Sequence, residues 1–284
     1  MDFTKFSKKK RETSSRKISF KLTECLAKTY NTEEETNIPG RDVFSHCLIV
    51  GYIARALLNR IPKWMKKSLF PSNSEIVAAA HDVGKVCPTF QEKIRRGKNN
   101  SANYRYNSYP GLESADPEFE KLWGYHAGLS QVTLDYCKAG SYIPEIVGQH
   151  HGFSPPKGKI KICLANAERY GGESWQKLRE TLIDELKLAL NCSWPIIKNE
   201  KQAKLVAGLT TVADWLGSTA RFDDPKNERW MKDVQEALDG AGFFPLVVQK
   251  GLSFQQIFDF TPRPIQKSLI QSCDKVSLRM LCVT

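Results

Sequence analysis

The stretch Asp42-Val43-Phe44-Ser45-His46-Cys47-Leu48-Ile49-Val50-Gly51-Tyr52-Ile53-Ala54-Arg55-Ala56-Leu57-Leu58-Asn59-Arg60 decides the fold. Val43, Phe44, Leu48, Ile49, Tyr52, Ile53, Ala56 and Leu57 recur at the spacing of one helical face, so a helix is expected from about Asp42 to Arg60. Pro62 marks its end. His46 is the one residue here whose chemistry exceeds packing. A lone imidazole on an apolar helix is usually a hydrogen-bonded core residue, and it becomes a ligand only in company.

Working outward, the same periodicity recurs. Ser74 is placed to cap a second helix running through Ile76 to Asp82, with Gly84 as its stop. A third is expected from His126 through Leu129, Val132, Leu134 and Tyr136, ending at Gly140. Ile143 to His151 reads as a short helix closed by Gly152, and Glu173 to Leu190 and Glu200 to Arg221 as longer amphipathic ones. The interval 97–117, rich in Asn, Ser, Tyr and Gly, reads as a long surface loop. No repeat and no extended alternation is present. The expectation is an all-α domain over 18–240, preceded by a basic segment over 1–17 and followed by a distinct segment over 241–284.

Composition narrows the class. Of 284 residues, 41% are hydrophobic and 26% charged, as in ordinary globular proteins, and no apolar run approaches a membrane span. The polar, basic start does not read as a secretory signal, so a cytoplasmic protein without a membrane is expected. The eight cysteines form no CxxC pair, which points to reduced, mostly buried thiols. Lysine and arginine outnumber acidic residues 42 to 31, a net charge of +11, with clusters at Lys8 to Arg11, Lys66-Lys67, Lys93 to Lys98 and Lys157 to Lys161. Such a surface attracts phosphate backbones, although it serves equally as a solvated face.

The five histidines fall where ligands make sense. His46 lies inside the first helix, His81-Asp82 ends the second, His126 begins the third, and His150-His151 ends the fourth. Asp214, in Ala213-Asp214-Trp215-Leu216-Gly217-Ser218, is a carboxylate among apolar neighbours and needs a cation or several donors as partner. Imidazole and carboxylate together suit Mn, Fe, Co or Ni, with Mg also admissible. A carboxylate such as Asp82 can bridge two cations, as two-metal hydrolysis requires.

The ordered set is His46, then His81-Asp82-Val83-Gly84-Lys85, Phe90-Gln91, Tyr125-His126-Ala127-Gly128, Gln149-His150-His151-Gly152-Phe153 and the Asp214 segment. It resembles the HD superfamily, and more narrowly the HD nuclease domain of the CRISPR-associated helicase-nuclease of type I interference systems. The resemblance covers roughly His46 to Ser218. It implies an HD-domain helical bundle that cleaves single-stranded DNA exposed by a guide-RNA surveillance complex and fed by a helicase domain, in cis or in trans. It further implies that His46, His81, Asp82 and Asp214 hold one divalent metal ion. Asp82, His126, His150 and His151 would hold a second, with Asp82 bridging and catalytic. Lys85 is implied to lie near the scissile phosphate, and reads equally as a surface charge after a helix stop.

Phe260-Thr261-Pro262-Arg263-Pro264-Ile265-Gln266 resembles the start of such a helicase, with Gln266 as the adenine-contacting glutamine. No glycine follows Gln266, so no phosphate loop of the GxxxxGK[ST] kind does either, and a fragment of a longer protein is expected. Two other readings stay open. One is an HD phosphohydrolase acting on nucleotides or cyclic nucleotides. The other is a silent module that holds nucleic acid through its basic patches.

Overall fold

The structure, a computed structural model, describes residues 21–98, 109, 111–112, 120–121, 124–152, 167–245 and 251–274. The basic segment 1–17, the cluster at 157–161, Phe153 and almost all of the expected loop over 97–117 lie outside the described residues.

What is described is helical. In order come α1 (Val43–Arg60), α2 (Lys63–Leu69), α3 (Glu75–Ala79), a 3-10 helix (Ala80–Lys85), α4 (Pro88–Lys98), α5 (Tyr125–Tyr136) and α6 (Ile143–Gly148). Then follow α7 (Gly172–Leu190), α8 (Glu200–Gly217), α9 (Trp230–Gly240), α10 (Phe254–Phe258) and α11 (Pro264–Asp274). Among the described residues the only sheet is an antiparallel pair, β1 (Thr29–Tyr30) with β2 (Ile38–Pro39). No described helix is long and apolar enough to cross a membrane.

The chain divides into two compact units, 1–245 and 246–284. In the first, α1 is the central element. The Asp42 carboxylate accepts a hydrogen bond from the Ser45 amide (2.9 Å) and so caps its N-terminus. Val43 and Cys47 on one flank join Ile76 and Val77 of α3 and Leu182 and Leu186 of α7. Ile49, Ile53 and Leu57 on the other join Leu209 and Ala213 of α8 and Val234 and Leu238 of α9. A helix buried on several faces belongs at the centre of a core. Gly217 lets the end of α8 reach α1, because a Cβ there would lie 2.7 Å from Val50 Cγ2. That close approach brings Asp214, one turn earlier, to the same place as His46. Cys25, Cys47 and Cys87 are buried, and the free thiols of Cys137 and Cys192 are partly so.

Several boundaries differ from the sequence reading. Ser74 does not cap α3: its hydroxyl donates to the Pro71 carbonyl (2.7 Å) and its backbone is already helical. The α-helix ends at Ala79, and the chain continues as a tighter 3-10 turn through Gly84, which therefore is no stop. The third helix begins one residue early, at Tyr125, and ends at Tyr136 rather than Gly140. The fourth ends at Gly148, leaving His150 and His151 in the turn beyond it. α8 stops at Gly217, with a separate 3-10 turn over Ala220–Phe222.

A candidate metal centre

All seven expected ligands converge, carried by five separate stretches of the chain. His46 stands one turn into α1 and is 3% exposed. His81 and Asp82 stand on the 3-10 turn, where Asp82 departs from helical angles (φ −108°, ψ 15°) and faces its neighbours rather than the next turn. His126 is the second residue of α5, His150 and His151 follow α6, and Asp214 lies in the last turn of α8.

Two rings have their tautomer fixed. His81 Nδ1 lies 2.9 Å from the Ala78 carbonyl and His150 Nδ1 2.6 Å from the Val147 carbonyl. A carbonyl only accepts, so each Nδ1 carries the hydrogen and each Nε2 faces the centre. His81 Nε2 lies 3.0 Å from Asp82 Oδ2 and 3.2 Å from Asp214 Oδ1, and His46 Nε2 lies 3.2 Å from Asp82 Oδ2. On the other side, Asp82 Oδ1 lies 3.4 Å from His126 Nε2 and 3.6 Å from His150 Nε2. The Nε2 atoms of His126 and His151 are 3.1 Å apart. Two sets of donor atoms result, each within 4.8 Å: His46, His81, Asp82 and Asp214, and His126, His150 and His151. The two oxygens of Asp82 divide between them.

The arrangement fits cations by a test independent of sequence. His46 Nε2, His81 Nε2, His150 Nε2 and Asp82 Oδ1 are buried with no hydrogen-bond partner, although acceptors and ring nitrogens crowd within 4 Å. Buried polar atoms are normally satisfied, and four such atoms aimed at one another are best satisfied by metal ions.

Charge is balanced across the centre. Burial works against the ionised form of Asp82, but His81 and the Lys85 ammonium, 2.6 Å from Oδ2, hold its pKa well below the usual carboxylate value. Burial likewise opposes charge on His81, yet the Asp82 and Asp214 carboxylates lift its pKa to about 10. Burial prevails at His46, held down to about 4, and at His126, held down to about 3. The two carboxylates thus favour positive charge at His81 Nε2, which a bound cation would supply in place of a proton, and the other imidazoles of these clusters whose shifts are resolved are held neutral.

Lys85 is not a loose surface charge. Its ammonium pairs with Asp82 and lies 5.5 Å from the Phe90 ring. Gln91, from the same motif, is a positioning residue: its Oε1 accepts from the Leu26 amide (2.9 Å) and its Nε2 donates to the Leu26 and Lys85 carbonyls (3.0 and 2.9 Å). Gln266 accepts a hydrogen bond from the Arg263 amide (2.9 Å) at the head of α11, within the second unit.

Two supports escaped the sequence reading. Ser218 donates to Asp214 Oδ1 (3.0 Å), and its place one turn after the carboxylate was the available signal. Ser130 links α5 to the 3-10 turn, its hydroxyl accepting from the Gly84 amide (2.8 Å) and donating to the His126 carbonyl (3.0 Å). Gly84 is needed there, since a Cβ would fall 2.0 Å from that carbonyl.

The model of the family described as "Cas3, HD domain" matches residues 26–222. The chain belongs to that family. By family it is an HD domain of the Cas3 kind. The HD domain also resembles solved structures. Cas3 of T. fusca with AMPPNP gives a TM-score of 0.60 at 21% identity, over 85% of this chain and 30% of that one. T. fusca Cas3 itself gives 0.58 at 20%, over 87% and 30%. A chain of a CRISPR RNA-guided surveillance complex, pre-nicking, gives 0.52 at 18%, over 89% and 31%. The chain therefore spans about 30% of the length of the Cas3 chains it matches. No curated protein matches it.

Proposed function

We propose that this HD domain cuts single-stranded DNA by hydrolysis at a centre for two divalent ions. His46, His81, Asp82 and Asp214 would hold one ion, and Asp82, His126, His150 and His151 the other. The observation that carries this reading is the division of Asp82, with Oδ2 toward one donor set and Oδ1 toward the other. When bound, divalent ions supply Lewis-acid charge and acidify water for attack on a phosphodiester.

The chain's own groups do the rest. His81 and His150, fixed by their carbonyl partners, keep their Nε2 atoms toward the centre, and Ser218 orients Asp214. The Lys85 ammonium, paired with Asp82, would hold a non-bridging phosphate oxygen. The basic surface supplies sequence-independent affinity for the strand. Likeness to the surveillance-complex chain supports action beside a helicase domain and a guide-RNA complex.

The decisive experiment supplies the purified chain with Mn, Fe, Co, Ni or Mg on single-stranded DNA, beside a panel of nucleotides and cyclic nucleotides. Cutting of single strands with about two equivalents of bound ion supports the proposal. Turnover of free nucleotides with intact single strands would transfer the case to a small-molecule phosphohydrolase.

A further inference from the structure

A cavity of about 730 Å³ adjoins the second histidine set. It is lined by His126 and His151, by the rings of Phe90, Tyr125 and Tyr170, and by Lys93 and Lys121. The volume suits a ligand of nucleoside size. Phe90 lies against the His126 ring, with centroids 5.3 Å apart, so whatever occupies the cavity meets the metal centre directly. Tyr125 is 56% exposed although it lines the cavity. Its backbone is left-handed (φ 58°), directly after Gly124 (φ 82°). A bulky residue rarely adopts that conformation, and here it opens the helix that delivers His126. Lys93 and Lys121 are exposed and make no ion pair among the described residues. Arg95 and Arg96, from the same basic cluster as Lys93, are engaged with the buried Glu92. Glu120, also at the cavity, accepts a hydrogen bond from Thr89.

We propose that this cavity is a subsite for one unpaired nucleobase next to the phosphate being cut, stacked on Phe90 and Tyr125, with Lys93 and Lys121 on adjoining phosphates. The inference rests on the nuclease reading above and deepens it. Aromatic faces accept any base, while lysines fix the backbone without reading sequence. A base held in a duplex is stacked on its neighbours and paired along its edge, so it cannot enter. Selection of single strands then belongs to the subsite beside the metal centre.

The test separates binding from cutting. The full chain, kept in EDTA so that no turnover occurs, is titrated by fluorescence anisotropy with a labelled oligothymidine and with its abasic counterpart of equal charge. Wild type is expected to bind the base-bearing strand about tenfold more tightly. That ratio should fall below about twofold in Tyr125→Ala and in Phe90→Leu, and return in Tyr125→Phe. Equal binding of both strands by wild type, no binding of either, or an unchanged ratio in both variants would overturn the subsite. Manganese-supported cutting of the same oligothymidine is scored separately. Base-dependent binding without cutting would remove the nuclease reading and leave the subsite standing, whereas cutting with equal binding would do the reverse.

Discussion

Asp82 turns one carboxylate oxygen toward each donor set, and two predictions follow from how the carboxylates of this centre are held. Asp82→Ala should abolish hydrolysis and reduce ion binding at both sets, while single-strand affinity stays within about twofold, because phosphate affinity is spread over many lysines and arginines. Calorimetric ion titration and anisotropy on the same preparation check this; near-normal cutting would end the shared-carboxylate mechanism. Ser218→Ala should act on one set alone. Losing the hydroxyl that steadies Asp214 should weaken ion binding there by about tenfold and leave the other set untouched. A single weakened site in the titration is the expected record, and equal weakening of both would contradict it.

The helices explain which parts of this centre the sequence displayed. α1 was legible almost to the residue, since its apolar spacing and the Pro62 stop bound the same stretch. The seven candidate ligands were legible as an ordered set of residues, although periodicity alone would have left His46 in the core. Backbone detail was not legible. Gly84 read as a helix stop, yet its φ is ordinary and its function is steric, a fact that only the position of α5 discloses. The shortness of α6 and the left-handed pair at Gly124 and Tyr125 likewise depend on what packs beside them. Hence a third prediction: Gly84→Ala should lower stability by about 1–3 kcal/mol, since the new methyl meets the His126 carbonyl and the Ser130 amide. Thermal unfolding measures the loss. Ion titration should show the set containing His126 impaired more than the other, and a variant as stable as wild type would refute the close contact.

For the molecule as a whole, the net charge of +11 predicts single-strand binding that weakens steeply and log-linearly with salt. The 284 residues are also expected to leave intact duplex largely uncut with or without ATP, because they contain no GxxxxGK[ST] phosphate loop. A flat salt response, or ATP-stimulated cutting of duplex by this chain alone, would count against these expectations. The division near residue 245 accompanies the change of sequence character after Gly240, and the second unit keeps its own aromatic cluster of Phe254, Phe258 and Phe260, the last two exposed.

The seven candidate ligands come from five separate places along the chain, the first at position 46 and the last at 214. The set of His46, His81, Asp82 and Asp214 spans 46–214, and no short segment contains it. His46 can meet Asp214 only after α8 has docked on α1 through Gly217 and Val50. During synthesis, an emerging chain therefore lacks the complete arrangement of seven candidate ligands until the helix bearing Asp214 has left the ribosome and packed. Under the nuclease proposal, such a chain would cut DNA only after the helix carrying Asp214 has packed against α1.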